Sequence, residues 1–408
     1  MAMILAIDAA RLIERIKELG ATGRDETGRL CRVAATDADR EGRDLLCGWL
    51  KQADLRIEID RIGNIYGVWE PEGSSGELVV MGSHIDTVID AGIYDGCFGV
   101  LAGLAVIEAM QQANLRPVRP LAVVAYTNEE GVRYAPDMMG SLVAAGGLAT
   151  DDALAVVGTD GTTLGAELAR IGYAGSREPG FLRPHAYVEL HIEQGPVLEA
   201  EGLPIGAVEN LQGISWQRVS IGGTANHAGT TPMVMRRDAG VAAGLVIAFL
   251  DDLARRTQDA VATVGTMRFE PNAINVIPSA AVFTVDLRNP DEGRLRSQEA
   301  ALQRFLDGLR DEGYEVTTER LARFEPVTFA PEIVAAVEQS AAERQLACRR
   351  MTSGAGHDAQ MIARVAPAAM IFVPSKGGIS HNPAEFTADN ELIAGANVLL
   401  DVARKLSQ

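Results

Sequence analysis

The chain has 408 residues, of which 47% are hydrophobic and 23% charged, a composition typical of globular proteins and unlike disordered or fibrous ones. This length exceeds what one ordinary hydrophobic core holds, so we expect two domains. The 37 basic and 55 acidic side chains leave a formal net charge of −18. Since no run of lysine and arginine is interleaved with aromatic residues, we expect no nucleic-acid partner.

The N-terminal stretch, MAMILAIDAARLIERIKEL, has no basic leader followed by an uninterrupted apolar run, so we interpret it as an amphipathic helix rather than a signal peptide. No apolar run approaches the ~20 residues needed to span a bilayer. Cys31, Cys47, Cys97 and Cys348 lack CxxC spacing, which argues against a disulfide framework and against a thiolate zinc site. We therefore expect a cytoplasmic protein without a membrane partner.

Apolar periodicity and turn residues predict the first elements of the chain. The helical spacing of leucine and isoleucine predicts helices over residues 8–19 and 38–51. RIEIDRIGNIYGVWE follows, and its β-branched and aromatic residues around Gly63-Asn64 predict two paired strands. A mostly apolar helix is predicted over 98–113.

Four buried strands are predicted, and each carries polar side chains at or just past its end. The strands span residues 78–81, 121–130, 186–195 and 368–374. The polar side chains are His84, Asp86 and Asp95, then Glu129 and Glu130, then His191, and finally His381. Ligand sites in open α/β sheets lie beyond the carboxyl ends of the strands, and histidine with carboxylates suits divalent ions such as zinc. For the first strand alone, a plain loop with turn-capping aspartates explains the pattern equally well.

The pattern of apolar residues changes between residues 212 and 328, where strands alternate apolar and polar side chains. An amphipathic strand, a helix over 234–256, two alternating strands, a helix over 291–311 and a last strand give the order β-α-β-β-α-β, which is typical of a ferredoxin-like domain. We therefore predict an α/β protein with a central, mostly parallel sheet built from residues 1–211 and 329–408. In this prediction, residues 212–328 form an inserted lid or dimerisation domain.

Several separated motifs carry a family resemblance. They are GSHIDTV, DGCFGV, TNEEG, ELHIEQGPVLE, NHAGTTPM, and GAGHDAQ followed by GISHNPAE. In this order, and over nearly the whole chain, they resemble the M20 metallopeptidase-like amidohydrolases, and within these the hydantoinase/carbamoylase branch.

This resemblance implies two divalent metal ions per subunit, with Asp95 bridging them. The implied ligands are His84, Asp95, Glu130, His191 and His381. Zinc is the favoured ion, while manganese, cobalt and nickel also suit histidine and carboxylate ligands. Two such ions about 3.5–4 Å apart lower the pKa of water toward ~7.

The resemblance also implies catalytic and substrate-binding residues. Glu129 is the implied general base, and Asp86 is the implied carboxylate that orients a liganding imidazole. His227, reaching in from the lid of the partner subunit, would polarise the scissile carbonyl of the substrate, which implies a homodimer through the lid. The implied substrate-binding residues are Gln194, Asn275, Arg288, Gly356 and His357. From the sequence alone, plainer interpretations stand beside these: an exposed loop for His227, a surface ion pair for Arg288 and helix capping for His357.

The hypothesis that follows is hydrolysis of N-carbamoyl-L-amino acids to amino acid, carbon dioxide and ammonia. The substrate is thus a small ureido or amide compound that bears a carboxylate. Allantoate or ureidoglycolate is the alternative with the same machinery, and β-ureidopropionate or a dipeptide fits less well. A non-catalytic binding protein is disfavoured because the proposed ligands and the general base are all present.

Overall fold

The computed structural model describes residues 5–408, so the first four residues of the N-terminal segment lie outside the described range. The helices are α1 Ala9–Ala21, α2 Asp37–Gln52, α3 Cys97–Gln112, α4 Met139–Ala144, α5 Thr150–Ala155, α6 Leu164–Ile171, α7 Val197–Glu201, α8 Ala239–Arg256, α9 Glu292–Asp311, α10 Pro331–Glu343, α11 Asp358–Ile362 and α12 Asp389–Leu406. Within residues 5–408, no helix is both long and apolar enough to cross a membrane.

The strands complete the element order. They are β1 Arg56–Ile59, β2 Ile65–Trp69, β3 Leu78–His84, β4 Leu121–Tyr126, β5 Pro184–Ile192, β6 Ile205–Leu211, β7 Gly213–Gly222, β8 Val261–Thr263, β9 Met267–Glu270, β10 Ala280–Asn289, β11 Glu315–Phe324, β12 Val327–Thr328, β13 Cys348–Ser353 and β14 Ala368–Val373. The chain divides into two compact units. Unit 1 is 1–209 with 329–408, and unit 2 is Asn210–Thr328.

Unit 1 contains a mixed sheet in the order β1-β2-β4-β3-β5-β14-β6, with β13 also paired to β6. β3 runs parallel to β4 and β5, and β14 runs parallel to β5. β1, β2 and β6 join antiparallel. Continuous apolar sequences form β3, β4 and β14 because helices cover both faces of a parallel sheet, and all three strands are fully buried. The predicted mixed α/β fold is therefore confirmed, and the parallel strands direct their carboxyl ends to one edge.

The strand predicted over 121–130 ends early, at Tyr126. Asn128 adopts a left-handed backbone conformation with φ 57°, which asparagine tolerates better than most residues. Its side-chain amide donates to the carbonyl oxygens of Tyr134 and Pro136, at 2.8 and 3.2 Å. The chain therefore turns before the two glutamates, and both can face the same side.

Unit 2 contains a five-stranded antiparallel sheet in the order β11-β7-β10-β8, with β9 also paired to β10. Alternate residues of β10 are buried, as the sequence alternation predicts, and Phe283 and Leu287 lie in the core with α8 and α9. The helix predicted from residue 234 begins instead at Ala239. Asp238 caps it by accepting hydrogen bonds from the backbone N–H groups of Gly240 and Val241.

A buried ion pair joins α1 to α3, the helix that follows Asp95. Arg15 donates to both carboxylate oxygens of Glu108, at 2.8 and 2.9 Å. We expect Glu108→Ala to lower the free energy of unfolding by about 3–5 kcal/mol, because Arg15 keeps its buried charge without a partner. Urea denaturation measures this, with the exposed Glu14→Ala in α1, the helix that carries Arg15, as the control. Equal midpoints for the two variants would contradict the expectation.

Candidate metal centre

Two buried imidazoles lie at the carboxyl edge of the unit 1 sheet. His84 is the last residue of β3, and His191 is the penultimate residue of β5. Nδ1 of His84 lies 2.9 Å from the carbonyl oxygen of Asp86, and Nδ1 of His191 lies 2.9 Å from that of Ile192. A carbonyl only accepts, so each neutral ring carries its proton on Nδ1 and presents the Nε2 lone pair to a ligand.

The carboxylate of Asp95 lies between three imidazoles. Its Oδ1 is 3.1 Å from Nε2 of His191 and 3.6 Å from Nε2 of His84. Its Oδ2 is 3.5 Å from Nε2 of His381, in the loop after β14. The two oxygens of one carboxylate therefore face two different sets of ring nitrogens.

The two adjacent glutamates approach different histidines. Oε2 of Glu129 is 3.4 Å from Nε2 of His84, and Oε2 of Glu130 is 3.4 Å from Nε2 of His381. Their backbone N–H groups donate to the carboxylate of Asp86, at 3.2 and 3.3 Å. The turn after β4 thus directs neighbouring side chains to separate parts of one cluster.

Asp86 contacts His84 differently from the sequence-based expectation. Its carboxylate Oδ1 is 4.0 Å from Nδ1 of His84, whereas its main-chain oxygen is at hydrogen-bond distance. The carboxylate instead accepts from the backbone of the glutamate turn. Asp86 therefore orients the imidazole through its main chain and orients Glu129 and Glu130 through its side chain.

The charges in this cluster perturb one another strongly. Burial opposes the charge of Asp95, but the imidazoles of His191 and His84 outweigh it and hold the pKa of its carboxyl well below the usual range. Burial, with the nearby charge of Asp358, raises the pKa of Glu129 well above its ordinary value. Burial and Asp95 do the same to the pKa of Glu130. Burial and mutual repulsion thus oppose the negative charge of the two glutamates, whereas the imidazoles favour that of Asp95.

The donor atoms fit divalent cations. Ligand atoms of His84, Asp95 and His191 all lie within 4.8 Å of one another, and so do those of Asp95, Glu130 and His381. Nitrogen and carboxylate oxygen without thiolate is a donor set that binds zinc, manganese, cobalt or nickel. Asp95 belongs to both sets, so the residues present fit two cations sharing one carboxylate.

Three predicted substrate-binding residues also belong to unit 1. Nε2 of Gln194 donates to Oδ2 of Asp95 at 2.7 Å, while its Oε1 is buried with no hydrogen-bond partner in the described structure. His357 contacts Ser353 through Nε2 at 3.0 Å, and its ring centroid is 4.6 Å from that of His191. Burial, together with His191, holds the pKa of His357 well below its usual range, so this ring is neutral. Gly356 is half-buried just before it.

The other three predicted residues belong to unit 2. Nδ1 of His227 accepts from the backbone N–H groups of Gly229 and Thr230, at 3.0 and 3.3 Å. Asn275 lies on the adjacent loop, where its carbonyl oxygen accepts from the N–H of Ala228 at 3.0 Å. Arg288 is half-buried and forms an ion pair with Asp286 at 2.9 Å, as the plainer interpretation anticipated.

Sequence reasoning missed several polar residues of the cluster. Ser380 donates to Oδ2 of Asp95 at 2.7 Å, and Glu385 accepts from the N–H of Asp95 at 3.2 Å. Both lie in SHNPAE, so their proximity in sequence to His381 was an available signal. Glu189 accepts from Ser83 at 2.6 Å and, with His191 and His357, forms another group of close donor atoms. The alternation of β5, which puts Glu189 and His191 on one face, could have revealed it.

Most of this chain matches the model of one known protein family. The model of Peptidase family M20/M25/M40 matches residues 80–405. This chain belongs to the M20 family. The resemblance expected from the motifs is therefore confirmed, and with it a metal-dependent hydrolase that acts on C–N bonds.

Relatives place this M20 protein among amidohydrolases of the carbamoylase and allantoate type. It is 39% identical to an N-carbamoyl-L-amino-acid amidohydrolase of Rhizobium meliloti, over 96% of this chain and 95% of the relative. It is 33% identical to an allantoate amidohydrolase of Bacillus subtilis (strain 168), over 97% of each chain. The crystal structure of a hydantoinase/carbamoylase family amidase from Burkholderia multivorans superposes with a TM-score of 0.95 at 41% identity, covering 99% of this chain and 98% of that one.

Chelation tests whether the acidic cluster needs cations as counter-ions. We expect EDTA to lower the thermal unfolding midpoint, because cations that bind only the folded cluster stabilise the folded state, and the carboxylate oxygens of Asp95 and Glu130 lie within 4.8 Å of one another. Added Zn²⁺ should restore the midpoint in differential scanning fluorimetry. EDTA already saturated with zinc is the control. A midpoint that stays constant while the metal content falls to zero would contradict a role for cations in this cluster.

Proposed function

We propose that this M20 amidohydrolase cleaves the carbamoyl C–N bond of N-carbamoyl-L-amino acids at a centre with two divalent cations. The observation that carries the proposal is the position of Asp95, whose two carboxylate oxygens face separate sets of imidazole nitrogens. Similarity to several N-carbamoyl-L-amino-acid amidohydrolases, at 34–39% identity over nearly full length, supports the choice of substrate.

In this proposal, five side chains bind the two cations. They are His84 and His191 for the first, Glu130 and His381 for the second, and Asp95 for both. Cations held there, with zinc favoured, supply Lewis acidity that polarises a carbonyl and lowers the pKa of water to about 7.

Glu129 is the proposed general base and acid. Its Oε2 lies beside the first set of ligands, 3.4 Å from Nε2 of His84. Burial raises its pKa, which suits a group that first accepts a proton from water and then delivers it to the leaving nitrogen. Adjacent to it, Glu130 turns toward His381 and so remains available as a ligand.

The overall reaction balances with one water. Water oxygen adds to the ureido carbonyl carbon, the bond from that carbon to the amino-acid nitrogen breaks, and this nitrogen takes up the proton that Glu129 accepted. The carbamic acid released splits into carbon dioxide and ammonia.

Two further side chains contact the reacting group in this proposal. Nδ1 of His227 accepts backbone hydrogen bonds, so the neutral ring carries its proton on Nε2, which can donate to the carbonyl oxygen as negative charge develops. The buried Oε1 of Gln194 has no hydrogen-bond partner among residues 5–408 and can accept from the terminal ureido N–H. Buried acceptors without partners cost free energy, so a substrate donor there is favourable.

The substrate carboxylate is assigned to Arg288, with Asn275, Gly356 and His357 completing the binding set. Asp286 already contacts the Nε and one terminal nitrogen of Arg288, at 2.9–3.1 Å. This contact keeps the guanidinium in one orientation, which lowers the entropic cost of binding a second carboxylate.

Replacing Glu129 tests the chemistry. We expect Glu129→Gln to reduce kcat by about 10²–10⁴-fold, because an amide does not accept the proton from water. Zinc content should stay that of the wild type, since Glu129 is not a proposed ligand. Full activity in this variant would refute the assignment. Ammonia release from N-carbamoyl-L-amino acids, allantoate, ureidoglycolate and β-ureidopropionate, together with release of free amino acids from dipeptides, tests the substrate. Faster turnover of allantoate than of any carbamoyl amino acid would overturn that part.

Replacing Arg288 tests carboxylate binding. We expect Arg288→Lys to raise KM sharply for N-carbamoyl-L-amino acids, because an ammonium cannot make two parallel hydrogen bonds to a carboxylate. N-carbamoyl amino acid amides, which lack the carboxylate, should show little change. The matched control is Arg218→Lys, another arginine of the unit 2 sheet that is paired with a glutamate, Glu319. If KM is unchanged, Arg288 does not bind the substrate.

We also propose a homodimer formed through unit 2. Helix α8 exposes Val241 and Leu245, which lie one turn apart on the same side of the helix and are 51% and 50% exposed. The neighbouring sheet edge, β8, exposes Val261 as well. Apolar faces of this kind on a globular protein mark association sites.

A charge on this face should prevent the association. We expect Leu245→Asp to give a monomer in size-exclusion chromatography with light scattering, and to lose activity because His227 is assigned to the partner's site. Val157→Asp, at an apolar position of unit 1 that is 62% exposed, is the control and should leave the mass unchanged. A dimer that persists in Leu245→Asp would count against this interface.

A further inference from the structure

Glu385 is a buried carboxylate that contacts the Asp95 segment without facing any proposed cation ligand nitrogen. Its Oε1 accepts hydrogen bonds from the backbone N–H groups of Tyr94 and Asp95, at 3.0 and 3.2 Å, across 290 residues of sequence. The packing is tight, because a Cβ at Gly92 would lie 2.3 Å from this oxygen. Glu385 thus binds the backbone that carries the shared carboxylate.

Ser380 connects the same glutamate to the carboxylate itself. Its Oγ lies 3.1 Å from Oε2 of Glu385 and donates to Oδ2 of Asp95 at 2.7 Å. Oδ2 is the oxygen that faces His381, the residue directly after Ser380. Glu385 therefore fixes both sides of one contact: the backbone of Asp95 and the residue that precedes His381.

The second set of ligands needs such support more than the first. His84 and His191 are buried at strand ends, and each has Nδ1 on a carbonyl oxygen. His381 lies in a loop, has φ 53°, and its side chain is 52% exposed. Since strand pairing does not hold His381, its distance to Asp95 depends on the contacts of its own loop.

We propose that Glu385, acting through Ser380, is a positioning residue that sets Asp95 Oδ2 against His381 and thereby determines occupancy of the second cation site. This inference rests on the proposed function, because it assumes two cations per subunit. It concerns the site formed by Asp95, Glu130 and His381, and it leaves the site formed by His84, Asp95 and His191 largely unaffected.

Equilibrium dialysis against Zn²⁺, with metal analysis of the protein, tests the inference without any substrate. The wild type should bind two zinc ions. Glu385→Ala should still bind the first zinc ion with unchanged affinity. Its affinity for the second zinc ion should fall by about 10- to 100-fold, the usual effect of removing a residue that supports metal ligands. Ser380→Ala should lower the affinity for the second zinc ion to a smaller extent. This variant also tests the inference if Glu385→Ala folds poorly.

Two further variants separate positioning from stability. Glu385→Gln keeps an acceptor for the two N–H groups and an amide that donates to Ser380, so its second site should match the wild type. Glu108→Gln alters a glutamate of similar burial, 7% exposed against 6%, and should lose stability while still binding two ions. If the wild type binds two ions and both Glu385→Ala and Ser380→Ala do so with unchanged affinity, the inference alone fails. If the wild type binds fewer than two, the proposed two-cation function fails and the inference with it.

Discussion

The centre depends on one carboxylate that several imidazoles share. Asp95 is 6% exposed, and its oxygens lie 3.1–3.6 Å from ring nitrogens on three different segments. A buried carboxylate is stable only when it is paired or hydrogen-bonded. Here Gln194 and Ser380 donate hydrogen bonds to Oδ2 of Asp95. The neighbouring glutamates add acidic groups whose negative charge a bound cation would neutralise.

The sheet of unit 1 brings these segments together. Parallel strands end at one edge, so β3, β5 and the loops after β4 and β14 deliver their polar residues to the same region. The ring orientations come from main-chain oxygens of Asp86 and Ile192, which lie within two residues of the histidine they hold. Orientation of the first two imidazoles is thus a local property, whereas the position of His381 depends on contacts between distant loops.

Unit 2 divides its residues between a core and an outer face. Alternate side chains of β10 enter the core, and Asp286 and Arg288 remain on the outer face as an ion pair. Both side chains of this pair are half-buried, so solvent still partly screens their attraction. The outer face of β10 is therefore charged, while the buried residues of the same strand pack in the core.

Local patterns in the sequence determined the class of each major element and the residue types of the site. Continuous apolar runs gave buried strands, alternation gave the unit 2 sheet, and histidines and acids at strand ends gave the cluster around His84, His191 and His381. Only the tertiary structure decided which atoms meet: the main-chain oxygen of Asp86 at His84, the contact of Glu385 with Asp95, and the end of β4 before Glu129. The reason is physical, since periodicity depends on neighbours a few residues away, whereas these hydrogen bonds depend on packing between segments far apart in the chain.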